Sequence, residues 1–84
     1  MQEAVNEKVI VAAVFGDSHK KISPIWFIWR GNKYKVKKVT YIWSERKGNI
    51  TLYHFSVYDG INLYDLIYNA SSLVWSLGSV DMEG

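Results

Sequence analysis

Eighty-four residues hold one domain and leave no room for two. The chain is 49% hydrophobic and 15% aromatic, has no cysteine, and carries a formal charge of +2, which excludes a disordered chain, a disulfide scaffold and a zinc ribbon. The longest apolar stretches, 9–15 and 25–29, are too short to span a bilayer, and the acidic first seven residues do not read as a signal peptide, so a cytoplasmic domain with no membrane partner is expected.

Strands are predicted along the whole chain. Lys8 to Phe15, rich in valine and isoleucine, is the first, and Gly16-Asp17-Ser18-His19 turns it. Ile25 to Arg30 is the second, opened by Pro24, and Gly31-Asn32 is a two-residue hairpin signal. Lys33 to Arg46 is a long third strand, closed by Lys47-Gly48-Asn49. Ile50 to Tyr58 is the fourth, ended by Asp59-Gly60, a favoured type I′ pair. Ile61 to Tyr68 is the fifth, although Leu63, Leu66 and Ile67 would also fit a helical turn. Asn69-Ala70-Ser71-Ser72 then leads into a sixth strand, Leu73 to Leu77. The tails, 1–7 and 80–84, are polar and expected to fray, leaving an ordered core of roughly 8–79.

Short turns between consecutive strands predict an all-β fold: a single small antiparallel meander of about six strands, rolled into a strongly bent sheet or a small barrel. The third strand would run roughly 40 Å if straight, too long for so small a domain. Its apolar parity changes between Lys37 and Lys38, so a β-bulge and a bend are expected there. Alternation assigns Val9, Val11, Phe27, Trp29, Tyr34, Val36, Val39, Tyr41 and Trp43 to the core. Tyr53, Phe55, Val57, Tyr64, Leu66, Trp75 and Leu77 join them. Trp26 and Ile28 compete with Phe27 and Trp29 for the inward face, because both sides of that strand are apolar.

Trp29-Arg30-Gly31-Asn32-Lys33-Tyr34-Lys35-Val36, with Val39 and Trp43, forms a W-x-G-x-x-Y-x-V hairpin. Leu63-Tyr64-Asp65-Leu66 and Trp75-Ser76-Leu77 supply a Y-x-L…W-x-L ending. In these motifs the chain resembles a family of small bacterial domains of unknown function, over roughly residues 24–77. The resemblance implies a compact bacterial β domain and carries no functional residue with it. The stretch before residue 24 has no counterpart in that pattern.

Catalytic chemistry has little to stand on. There are two histidines, His19 and His54, and His54 lies opposite Tyr53 and Phe55 in parity, which predicts a solvent-facing ring. Asp17-Ser18-His19 has the letters of a triad, but neighbours in one turn cannot take up the nucleophile–base–orienter geometry. No phosphate-binding glycine loop and no metal-ligand spacing occur. Asp65, inside a strand pattern, reads as a solvated edge or a partner contact. The expectation is a non-enzyme with no cofactor and no metal.

Charge is segregated instead. Between Ser18 and Lys47, nine basic residues face one acid, Glu45, for a segment charge of +8, with −2 before it and −4 after. Lys33, Lys35 and Lys37 alternate against Tyr34 and Val36 and form a ladder at about 7 Å per step. Such a ladder can neutralise the phosphates of a single-stranded or duplex nucleic acid, with Lys38, Arg30 and Arg46 helping. Trp26 or Tyr58 beside it could stack on bases. Lysine on an edge strand is equally an ordinary guard against edge pairing. The other functional class is a protein-interaction or self-associating module, such as a homodimer, docking through Trp26 and Ile28.

Overall fold

A computed structural model describes residues 2–16 and 22–82. Its described residues form eight strands: β1 (Gln2–Lys8), β2 (Ile10–Phe15), β3 (Ile22–Trp29), β4 (Asn32–Lys35), β5 (Lys38–Lys47), β6 (Ile50–Tyr58), β7 (Leu63–Asn69) and β8 (Val74–Asp81). One sheet has the order β1-β8-β7-β6-β5, the other β2-β3-β4. All pairings are antiparallel.

The expected all-β class is therefore present, with eight strands in two sheets in place of one six-stranded meander, and the sheet is not closed into a barrel. Two changes account for the extra strands. The long third strand divides at Val36-Lys37, where the chain leaves the small sheet for the large one. The Val36 amide donates to the Ile25 carbonyl (2.9 Å) and the next amide, of Lys37, donates to the Tyr58 carbonyl (2.7 Å). The expected bend is there, but it is a sheet-to-sheet corner; the bulge lies further on, at Thr40. The N-terminal stretch does not fray. Gln2–Lys8 pairs with β8 as a new edge strand, and beyond Lys8 the Val9 amide bonds to the Trp75 carbonyl as the chain crosses to β2. Strands that switch sheets at corners are how two small sheets stay wrapped around one core. The C-terminal tail is likewise shorter than expected, since Val80 is buried and β8 runs to Asp81.

The turns follow their side chains. Arg30 (φ 52°) and Gly31 (φ 79°) form the β3–β4 hairpin, one residue earlier than the expected pair, with both residues left-handed as a type I′ turn requires. The β6–β7 connection is a four-residue loop, in which the Asp59 carboxylate accepts from the amides of Ile61 (2.8 Å) and Asn62 (2.7 Å). Asn69 does the same for Ser71 and Ser72 before β8. The turn expected over 16–19 lies, beyond Gly16, outside the described residues, as do His19, Lys20 and Lys21.

The core fills the space between the sheets. Phe55, Val57, Tyr64, Leu66, Tyr68, Trp75, Leu77 and Val80 come from the large sheet, and Ile22 and Phe27 from the small one. Phe27 stacks on Tyr34 (5.2 Å, 19°) and meets Tyr64 edge-on (5.0 Å, 68°), joining the two layers. Val9, Val11, Trp29, Tyr34, Val36, Val39 and Tyr53 pack around this cluster as expected. The competition in β3 is settled by a bulge at Ile25, which turns Phe27 and Trp29 inward and Trp26 and Ile28 outward. Tyr41 and Trp43 depart from expectation. The extra residue at Thr40 inverts the alternation after Val39, so both rings point away from the core. They are 65% and 36% exposed.

Candidate nucleic-acid interface

The basic residues singled out in the sequence are all exposed, but they do not form one patch. Lys33 and Lys35 lie on β4, the edge of the small sheet; Lys37 occupies the corner; Lys38 begins β5, the edge of the large sheet. The chain thus carries four lysines along one continuous exposed edge. None of the four is in an ion pair among the described residues. Lys33 and Lys35 stand on the outer face of the small sheet, opposite Ile28 and Trp26. The Lys33 ammonium sits 4.4 Å above the Trp26 ring, a cation–π contact. Lys37 leaves the ladder at the corner and lies against Gly60, so the three-lysine face expected from alternation ends at Lys35.

Arg30 is committed elsewhere. From the hairpin tip its guanidinium reaches back to β1, donating to both oxygens of Glu7 (3.3 and 2.6 Å) and lying over the Trp29 ring at 4.7 Å. The Trp29 indole N–H donates to the same carboxylate (3.1 Å). The bonds from Arg30 and Trp29 hold the Glu7 carboxyl below its usual range and tie the two sheets together. Arg46 stands eight positions along β5 from Lys38, about 26 Å away, and is separate from the lysine row.

Trp26 and Ile28 are half-buried on the outer face of the small sheet, beside exposed Ile10, Val14 and Ile25. This face is apolar and bordered by Lys33 and Lys35. Tyr58, the other suggested stacking ring, is engaged through its hydroxyl, which donates to the Gly60 carbonyl (2.8 Å).

The outer face of the large sheet holds a cluster that the sequence reading missed. His54 is only 7% exposed, contrary to the expected solvent-facing ring. Its parity is as predicted, but that face is covered. Trp43 lies on the imidazole, Nδ1 faces both oxygens of Asp65 (3.2 Å each), and Nε2 faces Glu45 (2.9 Å). Burial pushes the Asp65 carboxyl up, and His54 opposes that shift. The two ring nitrogens point in opposite directions, so the carboxylates cannot converge with the imidazole on one ion. No group of three metal-ligating side chains is placed to hold a metal among the described residues. Asp65 and Asp81 wall a shallow recess of about 180 Å³ on this face. A signal for the cluster existed in the hairpin arithmetic. A four-residue loop at 59–62 pairs Tyr58 with Leu63 and hence Ser56 with Asp65, which sets His54 diagonal to Asp65.

No helix among the described residues is long and apolar enough to cross a membrane. No protein-family model, curated protein or solved structure matches the chain.

Proposed function

We propose that the chain is a cytoplasmic, non-catalytic domain that binds nucleic acid by phosphate contacts along its β4–β5 edge. Lys33, Lys35, Lys37 and Lys38 make the contacts. The observation that carries this reading is the continuity of the edge, since four lysines with no ion pair among the described residues follow one another across the corner with no acid between them. Arg30 contributes little while Glu7 holds it, and Arg46 reaches only a strand that extends the full length of β5.

Fluorescence anisotropy with labelled single-stranded RNA, single-stranded DNA and duplex DNA tests the reading. Binding should weaken steeply with salt, and changing Lys33, Lys35 and Lys37 together to Gln should lower the salt slope by about three. Unchanged affinity and slope in that triple variant would remove the assignment.

The exposed apolar face around Trp26 and Ile28 favours a second reading, a docking surface for a protein partner or a second copy. Light scattering over a concentration series separates the two, because a strict monomer weakens self-association and leaves nucleic-acid binding untouched.

A further inference from the structure

Tyr41 and Trp43 are the two large rings that alternation assigns to the core and the fold delivers to the surface. The device is the bulge at Thr40, whose hydroxyl donates to the carbonyl and hydroxyl oxygens of Ser56 (3.1 and 3.0 Å). Bulges commonly re-aim side chains in this way beside functional sites. The rings lie 5.4 Å apart, tilted by 30°. One face of the Trp43 indole rests on His54, with centroids 4.7 Å apart and planes 14° from parallel, which fixes the indole and leaves its other face outward.

The register of β5 on β6 places these rings in a row. Lys38 pairs with Tyr58, Tyr41 with Ser56, Trp43 with His54, Glu45 with Leu52 and Lys47 with Ile50, so all five side chains share the outer face. A cation stands at each end, two aromatic rings lie between, and the single acid is already held by His54. The row is about 30 Å long. Past Lys37 at the corner, Lys35 and Lys33 lie on the outer face of the small sheet. Further in on the same face, Asp65 and Asp81 line the recess, so acidic side chains border the row on its inner side.

Resting on the nucleic-acid reading above, we infer that the strand bound is single, its phosphates on Lys38 and the lysines before it and its bases stacked on Tyr41 and Trp43. A duplex keeps its bases stacked on each other and gives these rings nothing to grip, whereas an unpaired base offers a π-face to any exposed ring.

The test is anisotropy at low salt with a fluorescein-labelled twelve-nucleotide oligo-dT and a labelled duplex of the same length. The wild type is compared with Tyr41→Ala, Tyr41→Phe and the triple lysine variant. Tyr41 is largely exposed, so its replacement leaves the fold intact. The wild type should prefer the single strand. Tyr41→Ala should weaken oligo-dT by about tenfold and leave duplex affinity unchanged, and Tyr41→Phe should retain binding. If Tyr41→Ala binds oligo-dT like the wild type, or if the duplex binds equally well, the single-strand inference is overturned and the phosphate contacts stand. If neither probe binds at low salt, the nucleic-acid reading itself is overturned.

Discussion

The indole of Trp43 lies nearly flat on the imidazole of His54, 4.7 Å between ring centres and 14° between planes, so a histidine on the outer face of the large sheet is as hidden as a core residue. Its edges are occupied too. Nδ1 meets the Asp65 carboxyl and Nε2 meets Glu45, so the ring bridges two acidic side chains from neighbouring strands. Removing the ring takes from the half-buried Asp65 its imidazole partner. His54→Ala should therefore lower stability by about 2 kcal/mol. Asp65→Asn should recover part of that loss in the His54→Ala background and cost stability in the wild type. Urea unfolding of the four proteins in the cycle measures the coupling.

The loop at 59–62 sets the pH response. Burial alone would push the Asp59 carboxyl up. The amides of Asn62 and Ile61 and the hydroxyl of Tyr64 all donate to it, and together they hold it below its usual range. A carboxyl lowered by folding contributes stability above its unfolded value, near 4, and loses it as pH falls through the folded value. Tyr64 moves the other way on the pH scale, because burial pushes its hydroxyl up to about 12. That contribution is complete below pH 10 and is lost between roughly 10 and 12, where only the unfolded chain ionises. Asp59→Asn should flatten the acid arm of the stability profile and Tyr64→Phe the alkaline arm, as read from urea midpoints at each pH. Asp65, raised by burial, works against the acid loss, since its contribution is greatest below the usual carboxylate range and fades as pH rises.

Glu7 and Arg30 couple the fold to the proposed interface. While Glu7 holds the guanidinium at 2.6 Å, Arg30 has little left for a phosphate. Arg30→Ala should therefore change oligonucleotide affinity far less than Lys35→Gln. Glu7→Gln should release the guanidinium, tighten binding severalfold and steepen the salt slope by about one. Anisotropy titrations at three salt concentrations decide it, and equal losses for Arg30→Ala and Lys35→Gln would show that the ion pair opens on binding.

Gly78 is the extra residue of β8, set between Leu77 and Ser79 where the β7 register shifts. A Cβ there would stand 2.7 Å from Ile67 Cδ1 and 3.1 Å from an Asp65 oxygen. Both are side-chain ends, so they can move at modest cost. Gly78→Ala should destabilise by about 1 kcal/mol, and Ile67→Val should relieve much of that in the double variant. Thermal unfolding of the single and double variants tests the pair.

Much of this fold is legible in the order of residues. Alternation around Tyr53, Phe55 and Val57 marks a strand with one buried face, and the parity change between Lys37 and Lys38 marks a bend next to the corner, because side-chain period and turn chemistry are local properties of the chain. The polar first strand is not legible in that way. Gln2–Lys8 joins the sheet through backbone bonds to β8, and those bonds require no apolar pattern. The exposure of Tyr41 and Trp43 is hidden for a related cause. One extra residue at Thr40 costs the alternation nothing visible, yet it moves every later side chain to the other face. The His54 cluster draws on β5, β6 and β7 at once. Composition and spacing could supply a histidine, two carboxylates and a tryptophan; only the pairing register across three strands brings them within hydrogen-bond and stacking distance.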